Sequence, residues 1–237
     1  MNEEGIKSEY DVPAKKKLNR WPIVLGVMAA VLVVAFGGFM YWHEQPSFCG
    51  AFCHTPMDPY LATYNYGPGE PAVDKWGKEV SDSNAMMAVT HKAQGANCLD
   101  CHVPTIKEQL YEGMKWIAGN YANPLIERTL SDLVKARGIP NDEFCLNSGC
   151  HHVDADGAPL ETREDLVISS AYLKRPVHTP QHAVFKCSAC HKAHRASVIY
   201  CSKCHDDAEF PAGWRPYGTI EQTTSTPRCA DVPDLCN

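Results

Sequence analysis

Residues 187–205 read CSACHKAHRASVIYCSKCH, and this stretch sets the class of fold. Twice within it, two cysteines separated by two residues are followed at once by histidine: Cys187, Cys190, His191 and Cys201, Cys204, His205. Working outward, the same arrangement recurs as CLDCH at Cys98, Cys101 and His102. Two longer versions flank it: CGAFCH, with Cys49, Cys53 and His54, and CLNSGCH, with Cys145, Cys150 and His151. The chain holds 12 cysteines and 11 histidines in 237 residues, so composition alone predicts fewer than one Cys-His step; there are five.

C-x-x-C-H is the attachment pattern for c-type haem. Two thiols add to the two vinyl groups on one porphyrin edge, and the next residue must swing beneath the iron, where imidazole supplies the proximal ligand. A longer spacer can loop outward provided the Cys-His step is kept, so all five motifs are expected to carry covalent haem. The competing reading is zinc, because Cys187, Cys190, Cys201 and Cys204 have ribbon-like spacing. A zinc ribbon has no need of histidine after each second cysteine.

Electron-transfer haems take a second axial ligand from His or Met. Outside the motifs lie His43, His91, His152, His178, His182 and His194, and all but His43 crowd the motifs. His91, His152, His178, His182 and His194 are therefore the distal-ligand candidates, and which of them serves which haem stays open. Met57, three residues beyond His54, is either an axial ligand of the first haem or a packed residue in a Pro-bounded turn. Cys229 and Cys236, with no histidine following, read as a tail disulfide.

Composition supports a cofactor-filled interior. Of the 22 residues from Trp21 to Trp42, 18 are apolar, which leaves the rest of the chain thin in core-forming side chains. That run has no charge and is long enough for a bilayer core of about 30 Å. Lys15, Lys16, Lys17 and Arg20 precede it, and the positive-inside rule puts residues 1–20 in the cytoplasm and the haem domain on the periplasmic or extracellular side. The alternative is a cleaved signal peptide, against which stand the length of the run and the lack of an A-x-A site. Residues 1–20 carry five basic and four acidic side chains, leaving 17 basic against 24 acidic beyond them. Such an acidic domain excludes nucleic-acid binding.

With the anchor followed by FCGAFCHTPMD and then HKAQGANCLDCHVP (91–104), residues 15–125 resemble the NapC/NirT family of membrane-anchored multihaem quinol dehydrogenases, such as the small subunit of cytochrome c nitrite reductase. The resemblance implies oxidation of menaquinol at the outer membrane surface and passage of electrons to an extracytoplasmic terminal reductase in anaerobic respiration. It makes Met57 the ligand candidate at the first haem and Lys115 the counterpart of a quinol-site lysine, although an exposed helix lysine is an equal reading. This chain departs from the family in the extra residue of its first motif, in the displaced Met and in having five motifs rather than four. Residues 140–215 resemble small tetrahaem and class III cytochromes and the haem domain of flavocytochrome c fumarate reductases. The flavin domain of those reductases has no counterpart here, which makes a separate flavin subunit a natural partner.

The expected organisation is a basic N-terminus (1–20), a transmembrane anchor (21–42), a quinol-side module with haems 1 and 2 (43–138), a class III-like module with haems 3 to 5 (139–215) and a tail (216–237). Helices are expected from Pro104 to Ala122, from Pro124 to near Gly138, and from about Glu164 to Leu173. The fold class is mostly α, a loop-rich multihaem cytochrome c. The leading function is electron transfer. A terminal reductase of nitrite is the second class, disfavoured because no C-x-x-C-K occurs, and a conduit to extracellular acceptors is the third.

Overall fold

The computed structural model describes residues 20–52, 54–134, 138, 141–146, 150–151, 157, 160–173, 175–179 and 184–218, with the side chains of His54, Ser131, Asn141 and Asp142 outside that set. Two compact units result, Met1–Trp42 and His43–Asn237.

The first unit is built on α1, Trp21–His43, a helix of 23 residues with no buried side chain. At about 1.5 Å per residue it is about 35 Å long, enough for a bilayer core. It is the one helix among the described residues long and apolar enough to cross a membrane.

The second unit is mostly helical and loop-rich. Its helices are α2 (Pro46–Phe52), α3 (His54–Asn65), α4 (Met87–Ala93), α5 (Cys98–Cys101), α6 (Ile106–Ile117), α7 (Leu130–Leu133), α8 (Asn141–Cys145), α9 (Arg163–Ser169) and α10 (Cys187–Cys190). Four two-residue strands form two small sheets: β1 (Ala72–Val73) antiparallel to β2 (Glu79–Val80), and β3 (Val198–Ile199) parallel to β4 (Arg215–Pro216). The β1–β2 turn is fixed by Asp74, whose Oδ1 accepts from the amides of Trp76 at 2.9 Å and Lys78 at 3.0 Å.

Helix starts follow the capping chemistry of the sequence. Thr105 with Glu108, Thr129 with Asp132 and Thr162 with Asp165 form reciprocal capping boxes at α6, α7 and α9. The expected 104–122 helix is realised as Ile106–Ile117. The expected 124–138 helix is corrected to the four residues of α7: its cap is Thr129, while Glu127 and Arg128 are drawn out to Lys75 and Glu112. The 164–173 helix is corrected slightly, to Arg163–Ser169.

The protein-only core is small, as the composition requires. Ala72, Val80, Ala85, Met86, Val89 and Ala196 form the buried cluster, with Tyr66 and Trp214 packed against it. Backbone hydrogen bonds join its early and late segments: Lys75 donates to His194, Met87 to Lys192, Ala88 to Ala193 and Ser197 to Ala85, at 2.8 to 3.0 Å. Gly213 closes the packing. Its φ is +76°, and a Cβ there would lie 2.4 Å from the Asp82 carbonyl oxygen.

Candidate functional site

The cysteine motifs share one local turn. In the three C-x-x-C-H segments the histidine amide donates to the carbonyl of the first cysteine: His102 to Cys98 at 2.8 Å, His191 to Cys187 at 3.0 Å and His205 to Cys201 at 3.0 Å. Cysteines three apart on such a turn are neighbours on one face. The expanded motif closes in the same way, the His151 amide donating to the Cys145 carbonyl at 3.0 Å. Its two extra residues therefore leave the closure unchanged. In the first motif Cys53 and the His54 side chain lie outside the described residues.

Histidines from distant parts of the chain face one another across these turns. The rings of His102 and His194 are 6.3 Å apart between centroids, and those of His91 and His151 are 5.7 Å apart. Two imidazoles on opposite sides of one metal, each bound at about 2.0 Å, set their ring centres roughly 6 Å apart.

The outer rings are also held for ligation. His91 Nδ1 lies 2.7 Å from the Met87 carbonyl one helical turn back, so this nitrogen donates. His194 Nδ1 is 2.8 Å from Thr63 Oγ1, and the Thr63 hydroxyl itself donates to the Tyr60 carbonyl at 2.8 Å, so it accepts from the ring. In both, Nδ1 is occupied and Nε2 is the nitrogen left for a metal, the arrangement that fixes tautomer and orientation in metal-bound histidines. His178 differs: its buried Nδ1 has no hydrogen-bond partner.

Burial favours the neutral form, which binds metal, at His102, His151, His178, His191 and His194. It pushes His194 down to about 3, helped by His102 and Lys75. His191 goes down to about 4 through burial and then through His178, His151 and His91, while the Trp214 ring meets it edge-on at 5.2 Å. His102 is lowered by burial, then by Arg128 and Lys75, and His151 by burial and then His91. Burial also lowers His178, against an opposing hydrogen bond with the Leu166 backbone.

The motifs meet each other as well. The Cys49 and Cys98 thiols share a hydrogen bond, which holds Cys49 down at about 7 and pushes Cys98 up. Cys190, half-buried, is raised by burial against an opposing hydrogen bond with the Tyr200 backbone. The first motif thus touches the second, and the fourth lies against Tyr200, the residue before the fifth. Cationic side chains line the space around His194: Lys75 pairs with Glu127 and lies 5.2 Å from the Tyr60 ring centre, and that ring meets His194 at 5.2 Å.

Met57 is half-buried in α3. Lys115 lies 4.8 Å from the Tyr111 ring centre, and its neighbour Trp116 packs at 5.2 Å on Phe52, inside the first motif. His152, His182 and the Cys229–Cys236 pair lie outside the described residues. Thr63 and the Met87 carbonyl have no motif to announce them, and only the folded chain brings them to His194 and His91.

These features fit covalent haem. Repeated thiol-bearing turns, histidines paired at metal-bridging spacing, a buried unpartnered ring nitrogen and a small side-chain core together define a multihaem c-type cytochrome. Comparison with known proteins gives the same class. Residues 128–206 match the family described as cytochrome c3, on the segment whose motifs resemble class III cytochromes. The cytochrome c-type protein Cgr1 of Eggerthella lenta is 54% identical over 214 residues, covering 90% of this chain and 94% of that protein. No solved structure matches. The chain belongs to this family of cytochrome c-type proteins: it carries covalently bound haem iron and serves electron transfer.

Proposed function

We propose that this chain is a membrane-anchored pentahaem cytochrome that accepts electrons from menaquinol and passes them to an extracytoplasmic terminal reductase in anaerobic respiration, one whose flavin resides on a separate subunit. The observation that carries the reading is the contiguity of the motifs in one unit that follows a single membrane-length helix. Motif one meets motif two at Cys49 and Cys98, and Cys190 of motif four is hydrogen-bonded to the backbone of Tyr200, the residue before motif five. His102 and His194, and His91 and His151, link the middle of the array.

Haem iron supplies a one-electron carrier. The chain's own part is to hold each one. Cys49 and Cys53 would take the first haem, with His54 and Met57 holding its iron. Cys98 and Cys101 take the second, with His102 and His194. Cys145 and Cys150 take the third, with His151 and His91. Cys187 and Cys190 would take the fourth with His191, and His178, whose buried Nδ1 has no hydrogen-bond partner, is the candidate for its second ligand. Cys201 and Cys204 take the fifth with His205, leaving His152 and His182 as the remaining distal candidates.

Haems 1 and 2 belong to segment 43–138 and haems 3 to 5 to segment 139–215. By the resemblance to NapC/NirT proteins the quinol site would lie beside the first haem, and Lys115 would border it through Trp116 and Phe52. The basic residues before α1 set the N-terminus inside and the haems outside.

The test is anaerobic reduction of the oxidised, detergent-solubilised protein by a menaquinol analogue, followed through haem absorbance. Rapid partial reduction is expected, and it is lost in Met57→Ala or Lys115→Ala proteins that still carry five haem masses. Full reduction by dithionite with none by quinol overturns the quinol reading and leaves a membrane-tethered relay fed by another protein.

A further inference from the structure

Helix α6 is amphipathic in the inverted sense. At about 100° per residue, Ile106, Leu110, Met114 and Ile117 fall within an arc of about 80°. They are 76%, 66%, 71% and 79% exposed. The opposite side carries Glu108, Gln109, Lys115 and Trp116, all half-buried. A helix of a water-soluble domain turns its apolar stripe inward. Four adjacent large apolar side chains facing out mark a surface that something other than water covers.

Three observations select the occupant. First, α6 rests on α2 through the Trp116–Phe52 contact, and Phe52 is ten residues along the chain from Trp42, the last residue of the apolar run in α1. Ten residues span at most about 35 Å, so the covalent tether keeps α6 near any membrane that α1 enters. Second, the flanks of the stripe suit a headgroup layer. Lys107 borders it, Tyr111 and Tyr121 are 38% and 42% exposed, and the acidic Glu108 and Glu112 are turned to Thr105 and Arg128. Interfacial helices combine this kind of apolar face with flanking lysines and aromatic rings. Third, His102, the motif ring nearest along the chain, faces His194 at 6.3 Å between ring centres, so the haem proposed for that motif lies between those two rings.

We propose that α6 lies in the surface of the bilayer that α1 spans, with Ile106, Leu110, Met114 and Ile117 at the headgroup–acyl boundary. This rests on α1 being a retained membrane anchor. It makes the domain a two-point membrane binder, spanning by α1 and lying flat by α6.

The test places the photoreactive residue p-benzoylphenylalanine at position 110 of the full-length, haem-loaded chain in nanodiscs of phosphatidylethanolamine and phosphatidylglycerol. The same residue at position 172, where Tyr172 is 84% exposed, is the control. On illumination, a peptide 106–117 bearing one lipid mass is expected from position 110 and none from position 172. Adding Ile106→Gln and Ile117→Gln is expected to reduce the adduct severalfold with the haem count unchanged. An adduct to a second copy, to another polypeptide or to haem overturns the proposal, as does the absence of any lipid adduct. A lipid carrying a photoreactive acyl chain, run alongside, must label α1. If it labels α1 and not α6, the inference fails while the anchor stands; if it labels neither, both fail.

Discussion

Thr63→Val isolates the anchoring of His194 from its ligation. Thr63 is fully buried, and valine keeps its shape while removing the oxygen that accepts from His194 Nδ1 at 2.8 Å and donates to the Tyr60 carbonyl at 2.8 Å. Leaving a buried donor without its partner costs about 1–3 kcal/mol, so the variant is expected to lose stability of that order. The electronic effect is separate. A hydrogen bond accepted from Nδ1–H makes the imidazole more basic and favours the more positively charged oxidised iron. If about 1 kcal/mol of that bond is felt by the oxidised state alone, its loss raises one midpoint potential by about 40 mV. The assay is an optical redox titration of the purified haem-loaded protein with low-spin signals followed by electron paramagnetic resonance, and with Thr63→Ser as the variant that keeps the acceptor. A Thr63→Val protein that melts earlier but retains every midpoint and every low-spin signal would refute the pairing of His194 with the haem at Cys98 and Cys101.

Two further outcomes follow from the same geometry. His91→Ala is expected to turn one haem high-spin while the covalent haem mass stays the same; a fully low-spin spectrum would remove His91 as the partner of His151. Gly213→Ala forces a positive φ on alanine and drives its Cβ against the Asp82 carbonyl oxygen, so it should cost about 3 kcal/mol in a denaturation experiment. An unchanged midpoint there would mean that the 211–214 turn does not close the core.

The chemistry was legible because it is local. A Cys-His step, its spacer and the turn that closes it all lie within seven residues, and even the four-residue spacer before Cys150 kept the closure from His151 to Cys145. The apolar period of α6 was legible too, but a period states only that a face exists, not what covers it. The helix expected from Pro124 shows a different limit. Pro at a first turn is permitted there, yet the reciprocal pair of Thr129 and Asp132 is the stronger start signal, and it stands in the sequence to be read. The proposed distal-ligand pairing was not legible. His102 and His194 are 92 residues apart, His91 and His151 are 60 apart, and nothing in a local window connects them.

That separation bears on how the protein can assemble. The two pairs interleave along the chain in the order 91, 102, 151, 194, so neither loop can close inside the other. Loop-closure entropy of (3/2)RT ln n is about 4 kcal/mol for each, before any constant term. The side-chain core around Met86 that could offset it is itself shared, since Ala196 comes from the late segment and Lys75, Met87 and Ala88 donate backbone hydrogen bonds to residues 192–194. On the proposed pairing, the boundary expected near residue 138 would separate two motif patterns without separating two ligand sets. With the proposed pairing, a fragment ending there would keep the thiols and proximal His102 of the second haem but lose its distal ligand. A fragment beginning there would attach the third haem but lose His91. With that pairing such an array would mature as a whole, because the ligands that complete the second and third haems come together only when both ends of the chain are in place.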